Sequence, residues 1–167
     1  EDESSVYFTT TSEGVVQVSK ETKEISFYQF DPLDPFSLSS SRFSDLQTNP
    51  IAKDKDYLWV GTTNGLNQVN IKTGQIKRFY SGKTDLVKAD SISSVLVTQK
   101  GLYTGTTKGL TFLGSNQNEN SKDITDKNVV ALFEIKEANL VAVVLKDEIQ
   151  LLEGIKVVKI IKIEKPY

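Results

Sequence analysis

One motif recurs along this chain, and its spacing constrains the fold more than any other feature. Residues 57–69 read YLWVGTTNGLNQV, residues 101–113 read GLYTGTTKGLTFL, and residues 6–18 read VYFTTTSEGVVQV. Setting Trp59 on Tyr103 brings Gly61 onto Gly105, Thr62 and Thr63 onto Thr106 and Thr107, and Gly65 and Leu66 onto Gly109 and Leu110. That step is 44 residues, and the step back from Trp59 to Phe8 is 51. Self-similarity at about 40–50 residues belongs to propellers and solenoids, where each repeat is a small unit that buries its apolar faces only against its neighbours.

Each copy has the same internal order. A β-branched and aromatic run (57–62) meets Asn64-Gly65, and a second run (66–71) follows. X-Gly between two such runs signals a hairpin, and a type I′ turn there needs positive φ at both central residues. Lys108-Gly109 and Glu13-Gly14 keep the glycine. A further turn at Lys72-Thr73-Gly74 leads into a third run, 75–80, and a leading strand is expected at 42–48 before copy two and at 91–98 before copy three. Four short antiparallel strands per repeat is the count of a propeller blade. A degenerate fourth copy has strands at 128–135, 140–145, 149–152 and 156–163, with Lys146-Asp147 replacing the X-Gly turn and Asp147 aligned on Gly109. The expected fold is therefore all-β, a β-propeller of about four four-stranded antiparallel blades, with approximate limits 5–30 (incomplete, lacking its leading strand), 41–80, 91–124 and 128–163. Segments 31–41 and 115–121, rich in Pro, Ser and Asn, read as loops, the second a mobile one.

The chemistry available to the chain is restricted. Its 167 residues contain no His and no Cys, which removes Ser-His-Asp and Cys-His nucleophiles, His-ligated metals and disulfides. A net charge of −2 argues against a nucleic-acid partner. No run is apolar for long enough to span a bilayer. The absence of Met leads us to expect a processed or truncated piece of a larger array. Asp54-Lys55-Asp56 lacks the glycine and distal Glu of a calcium loop and reads as a turn. GTTNG and GTTKG precede strands rather than a helix N-terminus, so they read as hairpin glycines and not as a phosphate cradle. Trp59, Gly61, Gly65, Tyr103, Gly105 and Gly109 read as structural repeat positions: the aromatics as inter-blade packing, and Gly61 and Gly105 as points of close sheet approach. No cofactor and no metal site is expected.

The stretch LWVGTTNGLNQVNIKTGQIKRFY at 58–80 resembles the two-component regulator propeller repeat. Its pattern is an L-W-hydrophobic-G-T strand, a short turn, G-L and a hydrophobic strand, then a T-G turn and an aromatic-ended strand. LYTGTTKGLTFL at 102–113 is similar, 6–30 follows it in part with Thr10 in place of a glycine, and 140–163 follows it weakly. The resemblance implies an extracytoplasmic β-propeller, periplasmic or at the cell surface, as in the sensor regions of Bacteroidetes-type hybrid histidine kinases. It implies a non-catalytic segment that senses an oligosaccharide, with the remaining propeller blades and a second copy of the chain as partners. Two other readings are an interaction scaffold of a bacterial surface or secretion complex and, least favoured, a propeller glycoside hydrolase, which would need carboxylates about 5–10 Å apart in one pocket. In a propeller the links between strands two and three share a face with the links between blades. On that face Asn64, Tyr80, Lys83, Asp85 and Lys108 offer the amide, aromatic, cationic and carboxylate groups of a carbohydrate site. Cut to four blades, such an array exposes faces that normally meet a neighbour, so self-association is expected unless the four close on themselves.

Overall fold

The computed structural model describes residues 4–44, 50–115 and 121–164. They form four antiparallel meander sheets in chain order. The first has three strands: β1 (Ser5–Thr9), β2 (Val15–Ser19) and β3 (Ile25–Tyr28). The second has four: β4 (Ile51–Asp54), β5 (Tyr57–Thr62), β6 (Gly65–Asn70) and β7 (Ile76–Phe79). The third contains β8 (Ile92–Thr98), β9 (Gly101–Thr106), β10 (Gly109–Gly114) and β11 (Lys122–Thr125). The fourth contains β12 (Val129–Ile135), β13 (Leu140–Leu145), β14 (Glu148–Glu153) and β15 (Lys156–Lys162). A single 3-10 turn at Lys136–Ala138 is the one helical element among the described residues.

The sheets stack face to face through three apolar clusters. Tyr7 and Val15 of the first sheet meet Leu58, Val60 and Val69 of the second. Trp59 and Leu66 of the second meet Ile92, Val95 and Leu102 of the third. Tyr103 and Leu110 of the third meet Val129, Leu132 and Val143 of the fourth. The alternation of the strands explains this: Leu58 and Val60 point back to the first sheet while Trp59 and Gly61 point on to the third. A Cβ on Gly105 would fall 2.6 Å from Val129 Cγ1, and one on Gly61 would overlap the branched carbon of Ile92. Both glycines admit the next sheet where any side chain would hold it off. The first two linking loops also plug their seams, with Leu38 and Val87 buried in the first two clusters.

The hairpins differ from the expected type I′ geometry. Thr62 pairs with Gly65 and Thr106 with Gly109, so the turn residues are Thr63-Asn64 and Thr107-Lys108. Positive φ falls on the glycine alone, +120° at Gly65 and +143° at Gly109, while Asn64, Lys108 and Asp147 do not have it. The turn is instead closed by a threonine hydroxyl. Thr62 Oγ1 accepts from the Asn64 N–H (3.1 Å) and donates to the Gly65 carbonyl (3.0 Å). Thr106 does the same with Lys108 and Gly109, and Thr98 with Lys100 and Gly101.

Three further positions depart from the sequence reading. The leading strand of the second sheet is Ile51–Asp54; residues 42–44 carry no strand, and 45–48 lie outside the described residues. Most of the polar loop at 115–121 also lies outside them. In the first sheet the turn is one residue longer, so Tyr7 opposite Gln17, and not Phe8, takes the place of Trp59 opposite Gln68. Tyr7 is buried and Phe8 is 52% exposed. In the fourth sheet the register puts Glu148, not Asp147, where the glycine stands elsewhere.

The two outer faces of the stack are apolar. Val6, Val18 and Ile25 lie in one row, and Phe8, Val16 and Phe27 in the next, on the face of the first sheet turned away from the second. Phe133, Ala142 and Leu151, with Val144, Ile149 and Ile161, occupy the corresponding outward face of the fourth. Phe8, Ile25, Phe27, Phe133 and Ile161 are all exposed.

Candidate functional site

Strand pairing gathers the hairpins that open with Gly65, Gly109 and Glu148 and the inter-sheet links at one end of the stack. The Gly65 N–H donates to the Asp90 carbonyl at 2.6 Å, and the Thr63 N–H to that of Arg42 at 3.0 Å. The five residues singled out from the sequence lie at this end but not in one site. Lys83 Nζ sits 5.6 Å from the centroid of the Tyr80 ring. Lys83 and Asp85 line an open, mainly polar cavity of about 710 Å³ with Ser81, Thr84, Lys88 and Asp123. The Asn64 amide is committed to the link before it, donating to the Ser39 carbonyl at 3.2 Å. Lys108 is an exposed turn residue whose N–H is held by Thr106. Tyr80 faces a second, larger cleft.

Two charge clusters brace this end. Lys88, 18% exposed, pairs with Asp123 at 2.9 Å and with Asp126. The hydrogen bond to Asp126 leads the effects that raise its ammonium above the usual lysine range, against the burial that lowers it. Glu148 has 1% of its side chain exposed and is held by Lys127 (2.6 Å), Lys162 and the Gln150 amide (2.8 Å). Those three hydrogen bonds, Lys127 first, pull its carboxyl down to about 2. Both clusters tie a link to a strand end. At the opposite end burial, with the Glu134 charge adding to it, pushes the Tyr103 phenol up to about 12, and its hydroxyl donates to the Gly154 carbonyl at 3.0 Å.

The larger cleft, about 920 Å³, runs along β7 and was not marked by sequence. Asp34, Pro35 and Phe36 form one wall, and Tyr57, Gln68, Asn70, Gln75, Lys77 and Tyr80 are spread over the rest. Gln68 and Lys77 are register partners on neighbouring strands. The signal available was Phe36, an aromatic between turn-forming residues, where a loop ordinarily carries none.

The loop behind that wall is tightly organised. Asp31 Oδ1 accepts from the Leu33 N–H and Asp34 Oδ1 from the Phe36 N–H, both at 2.8 Å. Arg78 Nε donates to the Ser37 carbonyl at 2.7 Å, and its Nη2 reaches the Asp34 carbonyl at 2.9 Å and Ser37 Oγ at 2.8 Å. Such short Asx turns and a forked guanidinium fix the backbone without a core of its own.

No protein-family profile matches the chain. Among curated proteins no sequence matches either. Solved structures do. The extracellular domain of the hybrid two-component system protein BT3049 from B. thetaiotaomicron superposes with a TM-score of 0.70 at 20% identity, over 89% of this chain and 20% of that one. The extracellular domain of BT4673 from the same organism gives 0.70 at 18%, over 96% and 21%. Hydrazine synthase of Kuenenia stuttgartiensis gives 0.66 at 14%, over 97% and 47%. The chain shares their fold. It spans about one-fifth of the length of the two extracellular domains. At such identities the likeness is one of architecture alone. Among the described residues no helix is long and apolar enough to cross a membrane, and no group of three or more acidic residues is placed to hold a metal ion.

Proposed function

We propose that this chain is an arc of an extracytoplasmic β-propeller that senses an oligosaccharide for a hybrid two-component system and is not itself catalytic. The observation that carries the reading is the stack of one three-stranded and three four-stranded sheets, superposable over about nine-tenths of its length on extracellular domains of such systems. The repeat at 58–80 points the same way from sequence alone. The exposed apolar end faces suit an arc continued by further blades, since a propeller closes by burying each blade against the next. In the working assembly two copies would pair, and ligand would bias the relation between them by binding one arrangement more tightly than the other.

The test is a calorimetric titration of the full protein with a panel of neutral and acidic oligosaccharides, run beside a phosphorylation assay of the signalling partner. Saturable binding of one glycan class, with a matching change in phosphorylation, is expected. Absence of binding across the panel would contradict sugar sensing.

A further inference from the structure

We propose that the cleft along β7 is a saccharide-binding site, with Phe36 and Tyr57 as stacking surfaces and the Gln68 and Gln75 amides and the Lys77 ammonium bonding to ring hydroxyls. The proposal rests on the sugar-sensing reading above and adds a location. That location is the flank of the second sheet, and it shares no lining residue with the cavity that holds Lys83 and Asp85.

Three properties of the cleft lead to this. Its volume of about 920 Å³ is that of a pocket for a small organic ligand. Its wall is built before any ligand arrives, because Arg78 and the two aspartate turns hold residues 34–37 in place. That rigid loop keeps Phe36 69% exposed. A large aromatic displayed on a fixed support is placed for contact with something outside the chain. Finally, among the described residues the Gln68 and Gln75 side-chain amides and the Tyr57 and Tyr80 hydroxyls form no hydrogen bond within the protein, and Lys77 makes only a ring contact, 5.0 Å from the centroid of Phe79. Flat apolar faces beside unspent amides and hydroxyls match a sugar ring, which has an apolar C–H face and a polar rim of hydroxyls.

The charge balance narrows the class. The lining carries Lys77 and Arg78 against Asp34, but the Arg78 donors Nε and Nη2 are engaged by the loop, so Lys77 alone offers an ammonium to a ligand, which suits the hydroxyls of a neutral sugar better than the many charges of a polyanion. An extended peptide added to the edge of β7 fits less well. That strand has only four residues, and main-chain bonding is what gives such an addition its affinity.

Maltotriose, cellotriose and mannotriose are titrated calorimetrically into the full protein and into its Phe36→Ala, Gln75→Ala and Asp85→Ala variants. Phe36 and Gln75 are exposed, so both variants should keep the melting temperature, which is measured alongside. One trisaccharide should bind. Phe36→Ala and Gln75→Ala should each weaken it about five- to tenfold, and Asp85→Ala should leave it unchanged. A trisaccharide whose affinity is untouched by Phe36→Ala and Gln75→Ala would overturn the cleft while leaving sugar sensing intact. Failure of all three neutral sugars would overturn the cleft as a neutral-saccharide site, and an acidic sugar from the wider panel could still support sensing elsewhere. An extended peptide that binds the parent and is lost with Phe36→Ala would assign the cleft to the wrong ligand class.

Discussion

At the residue scale, the position that opens each third or second inner strand shows how one site can be filled in two ways. Gly65 and Gly109 use positive φ to leave the turn, whereas Glu148 stands there as a buried carboxylate between Lys127 and Lys162. Its carboxyl lies near 2 in the folded protein against an ordinary 4.5, so the ion cluster stabilises the fold fully above about pH 4.5 and loses its effect as pH falls towards 2. We expect the melting temperature to drop over that window. Glu148→Gln should lower it at pH 7 and flatten the acid slope, as followed by circular dichroism; an unchanged slope would show that the cluster does not form. At Gly105 the effect is steric. Gly105→Ala would press a methyl against Val129 and should cost about 1–3 kcal/mol in urea unfolding, the usual range for overpacking.

At the element scale the recurring device is Thr-x-x-Gly, with the hydroxyl bridging the turn. Thr106 is fully buried, and Thr106→Val removes both the acceptor for the Lys108 N–H and the donor to the Gly109 carbonyl. A loss of about 1 kcal/mol is expected, read as a shift of the urea midpoint, with Thr106→Ser recovering most of it. The strands themselves were legible because β-branched and aromatic runs broken by X-Gly have no competing helical period. The turn type was not, because the glycine belongs to the strand and the threonine before it closes the loop. The strand expected at 91–98 does pair with the next one, but its turn at Thr98-Gln99-Lys100-Gly101 has the same threonine closure, which the sequence reading did not mark. Ile51–Asp54 was missed because Lys53 and Asp54 are residues that strands disfavour, while the alternating 42–48 resembles a strand more closely. Tyr7 and Phe8 show the one-residue limit of alignment: a longer turn shifts the register, and with it which aromatic is buried. The β7 cleft could not be read at all. Phe36 and Tyr57 are 21 positions apart and line one cleft, with the Phe36 loop held by Arg78 from a third segment through Asp34 and Ser37.

At the scale of the whole molecule, the chain is a row of four units joined by three seams, with an apolar face left open at each end. Nothing local stabilises those faces, because a sheet packed on one side only gains half of the burial that its sequence provides. The claim that the repeats are stacked sheets built to be covered on both sides is tested most directly by light scattering on the 167-residue chain across a micromolar concentration series. We predict dimers or larger species, moved towards monomer by Phe8→Lys with Phe27→Lys. A monodisperse, stably folded monomer at every concentration would contradict it.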